Sequence, residues 1–372
     1  MGLWIGLMSG TSLDGIDAAL VRIEPGLPLS LIDTLAQPFS AEFQQRLQNH
    51  VSKPAINFSD YAQLDVELAR LSAQAVLKLQ EQARASHKME SNDKIEGVAS
   101  HGLTLFHAPN SGFPMSLQIG DPHVIAYQTK LPVVADFRRM DIAAGGQGAP
   151  FAPMFHRALL PKQLAEPVAV VNIGGIANVS LLSDEQVLGF DTGPGNGLMN
   201  RWIYRHRGLS YDDQGQWAAS GDVDEGLLKK MLSDAYFSRP SPKSTGAEYF
   251  NERWIDEHLK RHPEVSVANV QATLLELTAV SIANELAAAN CQRAFFCGGG
   301  VHNQALMQSL GQKLERTECQ VQTTQTLGIH PDWVEAVGFA WLGYARWHKK
   351  NIHLPNVTGA DEQVLLGAIY QA

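Results

Sequence analysis

The feature that most constrains the fold is a pattern that occurs twice, near the start of each half of the chain. The segments WIGLMSGTSLDGIDAALV and VAVVNIGGIANVSLL each read as an apolar strand, a turn of small residues and a second apolar strand. Two unrelated hairpins would give this pattern, because glycine turns are common. A duplicated α/β fold with a ligand between its two lobes would also give it, since internal repeats indicate repeated supersecondary units.

The length of the chain is sufficient for two domains. It has 372 residues, of which 45% are hydrophobic and 18% charged, as in globular proteins. We predict an N-terminal lobe of residues 1–165, joined by the tail 345–372, and a C-terminal lobe of residues 166–344. A loop is predicted over DFRRMDIAAGGQGAP, and a helix is predicted to begin near Gly197.

Charge and cysteine content exclude several classes of partner. The net charge is −9 and no Lys/Arg-rich run occurs, which argues against nucleic acid. The three cysteines form no disulfide or zinc pattern, so a reducing compartment, the cytoplasm, is expected. No stretch has the length of a transmembrane helix, and the apolar start reads as a buried strand rather than a signal peptide.

Three glycine-rich turns follow predicted strands, at residues 9–15, 174–178 and 298–303. Glycine lets backbone N–H groups approach a phosphate closely. No turn matches the P-loop or the dinucleotide-binding pattern. A single turn of this kind is an ordinary tight turn, whereas three of them favour a polyphosphate ligand.

Asp191 is the sharpest catalytic candidate. It ends an apolar strand in GFDTGPGNGLMN, where open α/β sheets bind ligands. The backbone from Thr192 to Asn196 at the following helix start would favour an anion. The carboxylate can act as a general base or can cap its own turn, and the sequence alone leaves both open.

Further carboxylates lie beside the first turn. Asp14 and Asp17 in TSLDGID are candidates for Mg²⁺ binding through water, although Asp14-Gly15 is also an ordinary hairpin pair.

Basic side chains form a second group of candidates. Arg138 and Arg139 either clamp a substrate carboxylate or pair with Asp136 and Asp141. For His101 and His107 the spacing favours a structural or substrate-contact role over a metal site.

Together these segments make the sequence recognisable. GLMSGTSLDGIDAALV, ASHGLTLFH, ADFRRMDIAAGGQGAPFAP, VNIGGIANVS, GFDTGPGNGLMN, PKSTGAEYFN, FFCGGGVHN and EAVGFAWL resemble, in this order, the anhydro-N-acetylmuramic acid kinase family. The match runs from Ile5 to Leu342. The resemblance implies membership of the acetate and sugar kinase, heat-shock chaperone and actin superfamily. It therefore implies a duplicated actin-like (ribonuclease H-like) α/β sugar kinase fold with an interdomain cleft.

The resemblance also implies an activity. Such enzymes use ATP, Mg²⁺ and water to open 1,6-anhydro-N-acetylmuramic acid and phosphorylate its O6. The product is N-acetylmuramic acid 6-phosphate, in cytoplasmic murein recycling. A homodimer is compatible with the resemblance. Alternative readings are a kinase for another sugar or carboxylate, an actin-like ATPase, and a binding module with a degenerate site.

Site residues follow from the resemblance position by position. Asp191 is implied as the catalytic base, and Mg²⁺ is expected on the ATP phosphates and on Asp17. The implied ATP-binding residues are Gly10, Thr11, Ser12, Leu13, Asp14, Gly15, Ile16, Asp17, Gly174, Gly175, Asn178, Gly298, Gly299, Gly300 and Asn303. The implied substrate-binding residues are His101, Arg138, Asp191, Thr192, Gly193 and Glu335.

One position departs from the family pattern. Ala247 stands in the STG-x-E segment where arginine is common. The departure either weakens turnover or is compensated by Lys243.

Overall fold

The computed structural model describes residues 2–10, 13–51, 53, 55–90, 92–161, 163–164, 166–184 and 186–372. The chain divides into two compact units. Unit 1 comprises Met1–Pro161 and Trp333–Ala372, and unit 2 comprises Lys162–Asp332. The predicted lobes therefore differ from the observed units mainly at residues 333–344, which belong to unit 1.

Strands and helices are numbered in chain order. The strands are β1 (Gly2–Met8), β2 (Gly15–Ile23), β3 (Ser30–Pro38), β4 (Ile95–Ser100), β5 (Leu103–Ala108), β6 (Met115–Ile119), β7 (Val133–Ala135), β8 (Val168–Ile173), β9 (Ile176–Leu182), β10 (Val187–Pro194), β11 (Arg293–Cys297), β12 (Gln320–Thr323) and β13 (Ala368–Tyr370). The helices are α1 (Ala41–His50), α2 (Phe58–Ala85), α3 (Pro122–Thr129), α4 (Phe137–Ala143), α5 (Ala152–Leu159), α6 (Gly197–Arg207), α7 (Gln216–Ala219), α8 (Glu225–Leu232), α9 (Glu252–Leu259), α10 (Val267–Ala288), α11 (Gln304–Glu315), α12 (Val334–Trp347) and α13 (Pro355–Thr358).

The main sheet of unit 1 has the strand order β13-β7-β4-β1-β2-β3. Strands β1, β2 and β3 form an antiparallel meander, whereas β4 pairs parallel with β1 and β7 pairs parallel with β4. The C-terminal strand β13 closes the edge antiparallel to β7. Strands β5 and β6 form a separate hairpin.

The sheet of unit 2 has the order β10-β9-β8-β11-β12. Here too the first three strands form an antiparallel meander, and two parallel strands follow on the other side of the first. The two units therefore share one plan, which confirms the duplicated actin-like fold implied by the family resemblance and decides against two unrelated hairpins.

Helix α12 explains why residues 333–344 belong to unit 1. It packs on β1, where Gly6 has no side chain and a Cβ would collide with the carbonyl of Ala336. Further along the helix, Gly343 packs on Trp4 and Ala99. Small residues on β1 and α12 therefore let the backbones of the strand and the helix approach closely.

Two hydrophobic cores support the sheets. In unit 1, α2 buries Leu64, Leu68, Val76 and Leu79 on its inner face, because their spacing places them on one side of the helix. In unit 2, α10 is central and buries residues around most of its circumference. One local prediction is wrong: residues 137–143 of the predicted loop form α4, directly after β7.

Candidate active site

Asp191 lies near the end of β10 in unit 2, and its backbone is held on both sides. Its N–H donates to the carbonyl of Lys243 at 2.9 Å, and its carbonyl accepts from the hydroxyl of Tyr236 at 2.7 Å. A register shift between Asp191 and Gly193 interrupts the pairing with β9 at this point. The interruption turns the strand end away from the regular ladder.

The carboxylate of Asp191 is bound by a loop distant in sequence. Its Oδ2 accepts from the hydroxyl of Ser244 at 3.1 Å and from the N–H of Thr245 at 2.9 Å. These bonds do not cap the turn that follows Asp191. Burial raises the pKa of Asp191, the two hydrogen bonds oppose this, and the charge of Glu248 raises the pKa further. A carboxylate with a raised pKa is a stronger base.

The residues around Asp191 shape the strand end. The buried hydroxyl of Thr192 donates to the carbonyl of Ala177 at 3.2 Å. Gly193 has φ +150°, and a Cβ there would lie 2.8 Å from the ring of Phe237. Asn178 is half-buried on β9, directly opposite Asp191. Thr192 and Gly193 therefore have structural roles at this strand end.

The turn between β8 and β9 is joined to the start of α6. The N–H groups of Gly195 and Gly197 donate to the carbonyl of Gly175, both at 3.0 Å, and that of Asn196 donates to Gly174 at 2.8 Å. These donors are therefore used within the protein, contrary to the expectation that the backbone here favours an anion. The space around the α-carbon of Gly175 is open.

The third glycine turn follows β11 in unit 2. Gly298 has φ +80°, and a Cβ at Gly298 or Gly300 would collide with residues of β8. The α-carbon of Gly299 faces open space. Asn303 is buried and caps α11, since its Oδ1 accepts from the N–H of Leu306 at 3.0 Å. Asn303 thus has a structural role, and Gly299 offers the accessible backbone.

The first glycine turn lies between β1 and β2 in unit 1. Thr11 and Ser12 lie outside the described residues. Gly10 is half-buried, and Leu13 is buried in a left-handed conformation with φ +57°. The carbonyl of Leu13 accepts from the side-chain amide of Gln44 at 2.9 Å.

The second half of this turn leads into β2. Asp14 is exposed, whereas Asp17 is half-buried on the strand. The carbonyl of Gly15 accepts from the hydroxyl of Ser9 at 2.6 Å, which closes the turn. Ile16 is only 1% exposed and belongs to the core of unit 1.

Arg138 and His101 form a second polar centre, in unit 1. The Nε and Nη2 of Arg138 contact Nε2 of His101 at 3.2 and 2.8 Å, and Nη1 donates to the carbonyl of Gly148 at 2.6 Å. The Nδ1 of His101 lies 2.9 Å from the carbonyl of Gly102 and therefore carries the proton. The guanidinium also lies 5.3 Å from the ring centre of Phe151.

The pKa values of His101 and Arg138 are strongly shifted at this centre. Burial and the charge of Arg138 lower the pKa of His101 to about 3, so the imidazole is neutral. Burial lowers the pKa of Arg138 to about 10, against the opposing charges of Glu335 and Asp141, so the guanidinium remains charged at neutral pH. Glu335, at the start of α12, is exposed, and its negative charge favours the charged form of Arg138.

The neighbouring basic residues differ in their partners. Arg139 pairs with Asp136 through contacts of 2.8 and 2.6 Å, so it has a structural ion pair. Arg138 makes no such direct pair among its described contacts. His107 on β5 bonds through Nδ1 to the hydroxyl of Ser116 at 2.9 Å.

Lys243, the residue expected to compensate for Ala247, has partners of its own. Its ammonium lies 2.6 Å from Glu285 and 5.2 Å from the ring centre of Tyr236, and its side chain is 3% exposed. Ala247 itself is exposed.

Ser244, Thr245 and Tyr236 hold Asp191, and the sequence did not single them out. The conspicuous PKSTG segment was the available signal for two of them.

The structure also bears on metals and membranes. Within the described ranges, no group of three or more histidine, cysteine, aspartate or glutamate side chains is arranged to hold a metal ion. In the same part of the chain, no helix combines the length and apolar character needed to cross a bilayer.

Comparison with known proteins gives a match over the whole chain. The family model for anhydro-N-acetylmuramic acid kinase matches residues 2–372. The anhydro-N-acetylmuramic acid kinase of Coxiella burnetii is 45% identical over 378 residues, covering 99% of this chain and 97% of that protein.

Solved structures with similar folds are more distant. A ROK family glucokinase from Streptomyces griseus has a TM-score of 0.42 and 15% identity, covering 92% of this chain and 99% of its own. The (R)-2-hydroxyglutaryl-CoA dehydratase component A of Acidaminococcus fermentans has a TM-score of 0.48 and 10% identity, with coverages of 93% and 99%.

Proposed function

Because the chain belongs to the anhydro-N-acetylmuramic acid kinase family, we propose that it opens 1,6-anhydro-N-acetylmuramic acid with water and phosphorylates O6 with ATP. The product is N-acetylmuramic acid 6-phosphate. This reaction belongs to the recycling of murein, and ATP supply makes the cytoplasm its expected location.

The observation that carries the proposal is the environment of Asp191. Its backbone is held by Tyr236 and Lys243, and its carboxylate accepts two hydrogen bonds from residues 244–245. A base must be held in one orientation and must bind a proton readily. Both requirements are supported by these bonds and by the raised pKa of the carboxyl.

The chemistry assigned to Asp191 is proton removal from water. The water oxygen forms a bond to the anomeric carbon as the bond from that carbon to O6 breaks. O6 takes the γ-phosphoryl group, ADP leaves, and the proton from water goes to Asp191. The two events are linked because O6 gains charge as its bond to carbon weakens, and phosphoryl transfer removes that charge.

Substrate recognition is assigned to Arg138, His101 and Glu335. The lactyl group of the sugar carries a carboxylate, which matches a charged guanidinium with a fixed plane. Neutral His101 supports this assignment because it orients the guanidinium without adding charge. Glu335 supplies an acceptor for sugar hydroxyls.

Nucleotide binding is assigned to the glycine turns. Gly175 and Gly299 leave open space at the backbone, which suits the close approach of phosphate or adenosine. Mg²⁺ would be held by ATP phosphates and by Asp17, whose half-buried carboxylate is a suitable oxygen donor. The described residues fit this arrangement, since Mg²⁺ keeps several waters and needs few protein ligands. When bound, the ion neutralises charge on the phosphates.

The test is a reaction with purified protein, ATP, Mg²⁺ and the anhydro sugar, with ADP release followed and the product identified by mass and NMR. We expect N-acetylmuramic acid 6-phosphate from the unchanged enzyme. Asp191→Asn should lower the rate by about two to four orders of magnitude, the usual contribution of a general base.

Other outcomes would redirect the assignment. Transfer to glucose or acetate, with none to the anhydro sugar, would favour a kinase for another substrate. Full activity in Asp191→Asn would remove the base assignment and leave the substrate assignment intact.

A further inference from the structure

Gly148 connects Arg138 to a buried carboxylate. The carbonyl of Gly148 accepts from Arg138 at 2.6 Å, while its N–H donates to Oδ2 of Asp141 at 2.6 Å. Gly148 has φ +68°, and a Cβ there would lie 2.9 Å from Ile142 and 3.4 Å from Arg138. The glycine peptide is therefore held from both sides in a conformation that other residues rarely adopt.

Asp141 is in turn bound by His353, and both side chains are fully buried. The Nε2 of His353 contacts Oδ1 of Asp141 at 2.5 Å and the hydroxyl of Thr358 at 3.2 Å. Its Nδ1 accepts from the N–H of Val364 at 3.2 Å. Because Nδ1 is an acceptor, the proton lies on Nε2, and the imidazole donates to the carboxylate.

His353 belongs to a C-terminal segment that is fastened to the loop before Gly148. The N–H of Gln147 donates to the carbonyl of Thr358 at 2.8 Å, and the N–H of Asp361 donates to the carbonyl of Ala144 at 2.7 Å. The loop that carries Gly148 is thus set by residues more than two hundred positions later in the chain.

We propose that His353 is a positioning residue for Arg138, acting through Asp141 and the Gly148 peptide. This inference rests on the proposed function, in which Arg138 binds the lactyl carboxylate. A guanidinium has five N–H donors, and its contacts with described residues use three of them. The remaining two bind a carboxylate well only if the plane of the guanidinium is fixed.

Two variants of His353 separate its bonds. The amide of His353→Asn reaches about as far as Nδ1, so it keeps the bond from Val364 and loses the donor to Asp141. The amide of His353→Gln reaches toward Nε2 and retains that donor. We expect His353→Asn to raise KM for the anhydro sugar about three- to tenfold, with KM for ATP unchanged, and His353→Gln to restore most of the loss.

A double-mutant cycle with Arg138→Gln tests whether the effect passes through the arginine. If it does, His353→Asn raises KM in the native background but adds nothing when Arg138 is already replaced. A purely structural role would lower the melting temperature and add its effect in both backgrounds. If His353→Asn does not fold, Asp141→Asn takes its place in the same cycle.

The outcomes are distinguishable. A wild-type enzyme that leaves the anhydro sugar untouched overturns the proposed function and this inference with it. An active enzyme in which Arg138→Gln leaves KM unchanged removes the carboxylate role of Arg138, and the inference falls with that role. In a third case the enzyme is active and Arg138→Gln raises KM. If His353→Asn then leaves KM unchanged, or adds its effect to that of Arg138→Gln, only the inference about His353 is overturned.

Discussion

Ser244→Ala gives a sharp test of how Asp191 is tuned. The hydroxyl of Ser244 donates to Oδ2 of Asp191 at 3.1 Å, and the N–H of Thr245 donates to the same oxygen at 2.9 Å. A hydrogen bond to the ionised form lowers the pKa of a carboxyl. Removing the hydroxyl therefore raises the pKa of Asp191, and the base becomes protonated at a higher pH.

The size of the effect follows from the surroundings of the bond. A hydrogen bond to a charged group contributes about 1.5–3 kcal/mol. Ser244 is exposed, so water replaces part of its contribution, and the bond from Thr245 remains. We expect the bond from Ser244 to contribute about 1 kcal/mol. Its loss then corresponds to roughly a fivefold lower kcat/KM at pH values on the acid limb of the profile. Activity on the neutral plateau should change little.

The assay is the pH dependence of kcat/KM for the anhydro sugar, which reports groups of the free enzyme. Ser241→Ala is the matched control, because the hydroxyl of Ser241 contacts Glu285 at 3.3 Å instead. We expect the acid limb to move to higher pH in Ser244→Ala only. A limb that stays in place, or moves to lower pH, would refute the reasoning.

Three further predictions concern stability. In chemical denaturation, Gly6→Val should lower the unfolding free energy by more than about 3 kcal/mol, because the valine side chain would collide with α12. Gly112→Ala is the control, since a Cβ at Gly112 meets open space, and it should change the unfolding free energy by less than about 0.5 kcal/mol. Thr278→Val should cost about 1–3 kcal/mol by the same assay, since the buried hydroxyl shares its one proton between the carbonyls of Pro194 and Gly195, both at 3.0 Å. Burial raises the pKa of Asp33, but hydrogen bonds from Lys88 and Gln82 lower it more, so the pKa is lower in the folded protein than in the unfolded chain. The ionised carboxylate therefore stabilises the fold above the unfolded pKa, and this contribution is lost as the pH falls through the folded pKa. Lys88→Met should therefore cost about 1 kcal/mol in thermal unfolding at neutral pH, and the difference should disappear on acidification.

Much of the fold was predictable because its signals are local. Buried strands with glycine turns appear in both halves, and the apolar spacing of α2 is regular over many residues. The boundary near residue 333 was not predictable, because α12 joins unit 1 through contacts with β1, far away in sequence. The helix over residues 137–143 was missed because charge and glycine near α4 imitate a loop.

The candidate site, like the fold, was only partly predictable from the sequence. Asp191 was identified because it ends an apolar strand before a glycine turn. The bonds that tune it come from Ser244 and Thr245, more than fifty residues later, and nothing in the PKSTG segment itself connects these residues to Asp191. Likewise, the sequence offered two partners for Arg138, but only the folded loop makes Gly148 the link to Asp141.

Because unit 1 is built from two separate parts of the chain, these two parts are synthesised at different times. Residues 162–332 emerge from the ribosome between the two parts of unit 1, which takes roughly 10–30 s at about 5–20 residues per second. During that interval β1 lacks the helix that covers it, whereas unit 2 has all of its strands by the end of the interval. The second half of the chain is therefore expected to mature first. Until α12 is made, the face of β1 that this helix covers has no partner from the end of the chain.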